Sequence, residues 1–282
     1  RSADTHGGAW SCHLLRAMSR GQFLDFEPGV YEGLDYETYA SIEAWRSHDL
    51  TSLIRCGFTW KNESTMKETP ALMEGRVQHT VFLEHHKFAE EFAIEPNVDR
   101  RTKVGKAEYA DWKETLNGRS PIKQDMYDIC MERREVVKRF IPGPDDRAEL
   151  TVCFIWHGEP CKARFDWYTG TDVWDLKTCR DASPRGFKIA INSFRYYQQA
   201  AFYLAAARHS GLRADRFMFL AQEKAHPFAY AVYTLSPEAI HYGDVRNEQA
   251  LALGKQIVSG AVEPQPFNGD GEMVEFDADD LW

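Results

Sequence analysis

The sequence lacks the features by which several common classes of protein are recognised. No apolar run approaches the roughly 18 residues of a membrane-spanning helix, and the start of the chain has no apolar segment before a small-residue cleavage site. The six cysteines include no C-x-x-C pair, so a disulfide framework, a zinc site or an iron–sulfur cluster is not expected. No G-x-x-x-x-G-K-[ST] loop occurs, which excludes an ATPase of that type and predicts no nucleotide cofactor. We therefore expect a soluble, cytoplasmic protein with no membrane partner.

Basic residues are scarce overall but locally concentrated. The formal net charge is -9, yet residues 160–224 hold eleven Lys and Arg against six Asp and Glu, whereas residues 237–282 hold two against ten. Net acidity disfavours a nucleic-acid partner, because affinity for the phosphate backbone comes largely from Lys and Arg. The asymmetry nevertheless permits a basic surface on an acidic protein. Composition leaves nucleic-acid binding open, and the acidic end fits a partner-docking tail as well as a solubilising one.

The chain of 282 residues, 43% of them hydrophobic, is long enough to bury the core of one elaborated α/β domain. We assign residues 31–282 to this domain and treat the weakly patterned residues 1–30 as a separate N-terminal segment. Periodicity and turn signals predict helices, then a three-stranded meander, a helix, two strands and a last helix. The predicted helices span residues 35–56, 70–88, 126–140, 192–207 and 237–259, and the predicted strands span residues 150–156, 161–168, 172–177, 216–221 and 228–235.

Two carboxylates and a lysine on neighbouring strands of the meander form the candidate site. Alternation along a strand puts Asp175 and Lys177 on one face and Leu176 on the other. A hairpin can bring Asp166 beside Asp175, giving two oxygen ligands of the kind Mg²⁺ prefers. The alternative is an exposed cross-strand ion pair. The apolar surroundings of the triplet, Val173 and Trp174 among them, favour a functional site, because burying charge without one is costly.

Five segments in order resemble the RecE-type exonucleases of the PD-(D/E)xK superfamily: EGRVQHTVFLE, AELTVCFIW, CKARFDWY, DVWDLKTC and YYQQAAFY. The resemblance covers about residues 31–233, and its specificity comes from the order of the motifs, each of which is weak alone. It implies a restriction-endonuclease-like α/β core, with a central mixed β-sheet flanked by helices and an N-terminal helical elaboration.

The resemblance also implies roles for individual residues. His79, Asp166, Asp175 and the backbone carbonyl of Leu176 match the metal ligands, and Lys177 matches the catalytic lysine. Glu149, directly before the first strand, matches an acidic residue that supports a second metal or positions water. Gln199 matches a glutamine on the following helix, with Gln198 as the fallback. The residues expected to contact the DNA backbone are Arg164, Arg180, Arg185, Lys188, Arg195 and Tyr196.

Without the resemblance, His79 reads as a half-buried helix histidine and Glu149 as a solvated carboxylate. With it, the implied activity is Mg²⁺-dependent hydrolysis of linear double-stranded DNA in the 5′-to-3′ direction, with Mn²⁺ as a substitute metal. A ring-shaped homo-oligomer and a RecT-like single-strand annealing protein, in phage-type recombination, are implied as well. Two alternatives stay open: an endonuclease or single-strand nuclease on the same core, and a catalytically silent DNA-binding assembly protein.

Overall fold

The computed structural model describes residues 27–63 and 69–267. Most of the weakly patterned N-terminal segment and most of the acidic C-terminal end therefore lie outside the described residues. The assignment of residues 31–282 to one domain stays a prediction. No described helix is both long and apolar enough to cross a membrane.

The described residues contain ten α-helices and eight β-strands. The helices are α1 Tyr36–Ser41, α2 Ser47–Arg55, α3 Gly57–Asn62, α4 Pro70–Leu83, α5 Phe88–Glu91, α6 Lys103–Glu114, α7 Gln124–Val136, α8 Pro184–Ser193, α9 Tyr196–His209 and α10 Pro237–Val258. The strands are β1 Gly29–Tyr31, β2 Phe92–Ile94, β3 Ser120–Ile122, β4 Arg147–Trp156, β5 Glu159–Tyr168, β6 Asp172–Cys179, β7 Arg216–Glu223 and β8 Tyr230–Thr234.

Six strands form the central sheet, in the order β1-β4-β5-β6-β7-β8. β6 and β7 are parallel, and every other neighbouring pair is antiparallel. A parallel pair needs a long crossover connection, which α8 and α9 supply here. The short strands β2 and β3 form a separate parallel pair. The predicted α/β fold with a mixed sheet flanked by helices is therefore confirmed.

The two faces of the sheet are covered by different helices. The larger hydrophobic cluster joins Phe154 and Phe219 of the sheet to Phe202 of α9 and Leu251 of α10. In the second cluster, Phe82 and Leu83 of α4 pack with three side chains of the sheet, Trp167, Leu176 and Leu220. α4 is thus held against the face opposite to α9 and α10, and this placement brings its polar side toward β5.

Two predicted helices are interrupted in the structure, and the helices predicted over residues 70–88 and 126–140 end earlier, at Leu83 and Val136. The helix predicted over residues 35–56 is divided into α1 and α2, because the intervening chain is extended and Trp45 is fully buried. Trp45 hydrogen-bonds as a strand would, its N–H donating to the Pro160 carbonyl at 2.9 Å. The helix predicted over residues 192–207 begins only at Tyr196, because Arg195 adopts a left-handed conformation with φ of 54°.

Candidate active site

The site begins at a break in the ladder between β4 and β5. Ala148 pairs with Trp167 and Leu150 pairs with Phe165, but Glu149 and Asp166, which lie opposite each other between these pairs, are not joined. Glu149 has a φ of 49°, in the left-handed region that a residue with a side chain rarely adopts. The prediction that Glu149 precedes the first strand is wrong, since it lies within β4.

At this break the alternation of side chains is reversed, so that residues two apart in each strand lie on opposite faces of the sheet. Residues two apart in a regular strand share a face. Leu150 and Phe165 nevertheless belong to the larger hydrophobic cluster, whereas Ala148 and Trp167 lie with the second one. The reversal occurs at Glu149 and Asp166 in both strands together, and both side chains remain only partly buried at that point.

The sheet also opens between β5 and β6. Only two residue pairs join these strands, Trp167 with Trp174 and Tyr168 with Val173. The next pair in this register would be Asp166 with Asp175, but the strands separate there. The Leu176 N–H donates to Asp166 Oδ2 at 2.6 Å instead, so the carboxylate takes over the hydrogen bond that the ladder would have supplied.

His79 of α4 completes a group of three possible metal ligands. Its Nδ1 lies 3.6 Å from Asp166 Oδ2, and one donor atom from each of His79, Glu149 and Asp166 lies within 4.8 Å of the other two. Burial, together with the neighbouring Asp175 and Glu149 carboxylates, raises the pKa of Asp166 from 3.8 to about 7, against the opposing effects of His79 and Lys177. Anionic oxygen and imidazole donors gathered in this way can hold a divalent cation.

Asp175 and Lys177 face the same side of β6, as strand alternation predicts. Lys177 Nζ lies 2.7 Å from Asp175 Oδ2, and their side chains are 19% and 3% exposed. Burial alone lowers the pKa of Lys177, but the Asp175 and Asp166 carboxylates outweigh it, so that the pKa is raised and the ammonium stays charged. The ammonium also lies 4.8 Å from the centre of the Tyr196 ring, a cation–π arrangement.

Gln198 and Gln199 point in different directions. The Gln199 amide donates to Asp175 Oδ1 at 2.7 Å, so it holds the carboxylate from the side opposite Lys177. Gln198 is fully buried and donates to Asn247 Oδ1 at 3.0 Å, while the Asn247 amide donates back to the Gln198 carbonyl at 2.8 Å. Gln198 therefore fastens α9 to α10, and Gln199 is the glutamine that contacts the site.

The residues predicted to bind DNA fall into two groups. Arg164 pairs through Nε with Glu149 Oε2 and donates through Nη1 to the Leu34 carbonyl at 2.9 Å, and its side chain is only 12% exposed. The others lie near β6 and α8, and Arg180, Arg185 and Lys188 are exposed. Within residues 27–63 and 69–267, no ion pair involves Arg180, Arg185, Lys188 or Arg195. Their charges are thus available to an anionic ligand, whereas Arg164 is directed at Glu149.

One group near the site has no signal in the sequence. Arg133 of α7 is 3% exposed and donates to Glu74 Oε1 at 2.7 Å and to the Lys224 carbonyl at 2.6 Å. Lys224 Nζ lies 3.5 Å from the other Glu74 oxygen. Glu74 precedes His79 on α4, so these contacts anchor the helix that carries the histidine. The partners are remote in sequence, and no local pattern joins them.

A sheet that opens beside two carboxylates and a lysine, with a histidine supplied by a helix on one face, defines the PD-(D/E)xK class of nuclease core. Residues 55–274 match the family described as a PDDEXK-like domain of unknown function (DUF3799), and the chain belongs to this family. It therefore carries a nuclease domain of the PD-(D/E)xK superfamily, as the resemblance implied.

One solved structure agrees with this fold. The crystal structure of a putative exonuclease from Eubacterium rectale superposes with a TM-score of 0.59 at 14% identity, covering 88% of this chain and 96% of that one. The crystal structure of the protein SSO0001 is 11% identical with a TM-score of 0.31, covering 71% of this chain and 91% of that one, and is too distant to support an argument. No curated protein sequence matches the chain significantly.

Proposed function

We propose that the protein is a Mg²⁺-dependent exodeoxyribonuclease that hydrolyses phosphodiester bonds of linear double-stranded DNA in the 5′-to-3′ direction. The observation that carries the proposal is the group of His79, Glu149 and Asp166, whose donor atoms lie within 4.8 Å of one another beside the Asp175–Lys177 ion pair. The structurally similar Eubacterium rectale protein is described as a putative exonuclease, which supports the proposal. The direction of digestion rests on the motif resemblance.

The donor set fits a small, hard cation. Glu149 and Asp166 offer carboxylate oxygens and His79 an imidazole nitrogen, with Asp175 and the Leu176 carbonyl as further ligands of the proposal. Burial and, after it, the crowded Asp175 and Glu149 carboxylates raise the pKa of Asp166, and a cation would stabilise the ionised form and relieve the repulsion. Oxygen ligands favour Mg²⁺, with Mn²⁺ as a substitute. When bound, a divalent cation activates water and neutralises charge on the phosphate.

The remaining site residues position the reacting groups and stabilise the charge that develops on the phosphate. The charged Lys177 ammonium orients the attacking water and offsets negative charge that develops on the phosphate. Asp175 Oδ2 holds this ammonium at 2.7 Å, and Gln199 holds the same carboxylate through Oδ1 at 2.7 Å. In this proposal Gln199 acts through Asp175, so it is a positioning residue.

Four cations that form no ion pair among the described residues, Arg180, Arg185, Lys188 and Arg195, supply contacts to DNA phosphates, although Asp181 offsets part of the charge of Arg180 and Arg185. Assembly into a ring-shaped homo-oligomer and cooperation with a RecT-like annealing protein in phage-type recombination are proposed from the motif resemblance. No nucleotide cofactor enters the proposed reaction.

The decisive experiment follows nucleotide release from end-labelled linear duplex DNA, with closed circular DNA as a control for free ends. Wild type, Lys177→Ala and Asp166→Asn are compared in Mg²⁺, Mn²⁺ and EDTA, with Lys113→Ala, an exposed lysine on α6, as the matched variant outside the site. We expect release from linear DNA only, with either metal, lost in EDTA and in both site variants, and retained in Lys113→Ala.

Other outcomes would replace the proposal. Cleavage of closed circular DNA would make the protein an endonuclease, and a preference for single-stranded over duplex ends would make it a single-strand nuclease on the same core. DNA binding without degradation under any divalent metal would indicate a catalytically silent assembly protein. Labelling the 5′ and 3′ ends separately tests the direction of digestion.

A further inference from the structure

The connection between α8 and α9 exposes an aromatic ring beside the active site. Phe194 follows the last residue of α8. Its N–H donates to the Ala190 carbonyl at 2.9 Å, and the residue is 64% exposed. The left-handed conformation of Arg195 then turns the chain so that α9 begins at Tyr196. Because of this turn, Phe194 lies outside the core although it is only two residues from Tyr196.

The exposed ring is in stacking contact with a partly buried one. The rings of Phe194 and Tyr196 lie 5.5 Å apart at an interplanar angle of 24°. Tyr196 is itself held from the core side by Phe187 and Phe219, at centroid distances of 6.1 and 5.8 Å. The Lys177 ammonium lies 4.8 Å from the Tyr196 ring. Phe194, Tyr196 and Lys177 therefore form a continuous path from solvent to the site.

The core does not require the ring of Phe194, since Phe187 and Phe219 already pack against Tyr196. An aromatic side chain left in water forgoes the free energy that burial would give it. Because this exposed ring is stacked on the ring that contacts Lys177, it offers its outer face to a ligand with a flat apolar face that enters the site.

α8 itself carries positive charge. It holds Arg185 and Lys188 and no acidic residue, and within the described part of the chain neither cation forms an ion pair, although Asp181, just before the helix, interacts electrostatically with Arg185. Lys188 lies six residues before Phe194, roughly 9 Å along the helix axis and about a third of a turn around it, so a strand of a few nucleotides can contact both. Unpaired cations beside an exposed aromatic ring are the combination that binds single-stranded nucleic acid.

We propose that Phe194 stacks on an unpaired nucleobase of the DNA strand that enters the active site, while Lys188 and Arg185 contact its phosphates. The inference rests on the proposed function and adds a base-binding subsite to it. Stacking reads the face that every base has, so the subsite would hold the frayed end of a strand without selecting its sequence.

The test measures binding and stacking separately from hydrolysis. Oligonucleotides with 2-aminopurine near the 5′ end are titrated with the protein in Ca²⁺, which suppresses turnover, and both anisotropy and 2-aminopurine fluorescence are recorded. We expect Phe194→Ala to bind about 5- to 150-fold more weakly, the range that removal of one base–aromatic stack gives, and to lose the fluorescence quenching that stacking causes. Phe194→Trp should restore both signals.

The matched control is Tyr242→Ala, which removes another exposed ring, 53% exposed, that packs on the side chain of Tyr197 at 5.2 Å. It should leave affinity and quenching unchanged, and circular dichroism should show that both alanine variants are folded. Wild type that binds the oligonucleotide with the same affinity and quenching as Phe194→Ala would overturn the stacking subsite and leave the nuclease function standing. Wild type that neither binds nor degrades DNA would overturn both.

Discussion

Glu149 lies directly opposite Asp166 across the β4–β5 ladder, at the position where the ladder is interrupted. Glu149 reaches this position in a left-handed backbone conformation, and Asp166 replaces a missing ladder bond by accepting the Leu176 N–H. Irregular backbone of this kind costs free energy and is retained where the surrounding structure enforces it, often at functional sites. The same irregularity brings two carboxylates and His79 together.

The backbone conformation of Glu149 predicts that two substitutions affect metal binding alike but differ in their effect on stability. Glu149→Gly and Glu149→Ala both remove the carboxylate, so both should weaken Mn²⁺ binding measured by calorimetry. Glycine adopts a φ of 49° without steric cost, whereas alanine does not. We expect Glu149→Gly to unfold at higher urea concentration, with a free energy of unfolding about 1 kcal/mol above that of Glu149→Ala. Equal stabilities would contradict a strained conformation at this position.

Asp166 should make the metal-free protein less stable as the pH rises. Its folded pKa of about 7 lies above the ordinary 3.8, so the unfolded chain ionises first and the free energy of unfolding falls between about pH 4 and 7. Asp166→Asn removes this penalty. In EDTA the variant should be more stable than wild type at pH 8, by up to about 4 kcal/mol, and should show no such advantage at pH 4. Urea denaturation across this range checks it, and parallel stability curves would refute it.

Variants of Lys177 and Asp166 should show that catalysis and metal binding depend on different residues. Lys177→Met removes the ammonium but none of the proposed ligands, so we expect a loss of about 10²- to 10⁴-fold in the single-turnover cleavage rate. Mn²⁺ affinity should change little, whereas Asp166→Asn should lose affinity and activity together. Calorimetry with Mn²⁺ beside rapid-quench cleavage assays makes the comparison. A large loss of Mn²⁺ affinity in Lys177→Met would place the lysine in a structural rather than a catalytic role.

The neighbouring glutamines should differ in their effect on cleavage. Gln199→Ala releases the buried Asp175 carboxylate from one of its hydrogen bonds, so cleavage should slow in addition to any loss of stability. Gln198→Ala leaves Asn247 Oδ1 buried without its donor, which costs about 1–3 kcal/mol of stability, while the Asn247 amide keeps its bond to the backbone carbonyl of residue 198; cleavage by the folded variant should be unchanged. Thermal unfolding and initial cleavage rates are measured on both variants. If Gln198→Ala slowed cleavage at full stability, the separation of their roles would fail.

Much of the fold could be predicted from local patterns. The period-2 alternation of the meander, the turn at residues 157–160 and the apolar stripe of α4 depend on neighbours close in sequence, and each predicted element has an observed counterpart. The same alternation correctly set Asp175 and Lys177 on one face of β6, because a strand places residues two apart on one side whatever it packs against.

Local patterns could not predict where those elements are interrupted. The helix over residues 35–56 is broken because Trp45 enters the core and hydrogen-bonds to β5, a partner more than a hundred residues away. Glu149 lies inside β4 because Arg147 and Ala148, which precede it, pair with Tyr168 and Trp167 of β5. Gln198 and Gln199 are adjacent on α9 but lie on different faces of the helix. Gln198 lies on the face that meets α10, where it hydrogen-bonds to Asn247.

The sequence by itself determined the order of the predicted elements and the chemical types gathered in five motifs, because these follow from periodicity and residue chemistry, whereas the mixed sheet was implied by the motif resemblance. Tertiary structure decided which side chains meet: Arg164 with Glu149, Gln199 with Asp175, and Arg133 with Glu74. Such polar contacts join residues far apart in the chain. They form where burial leaves a charge or amide without water, and that depends on the packed molecule rather than on any segment of it.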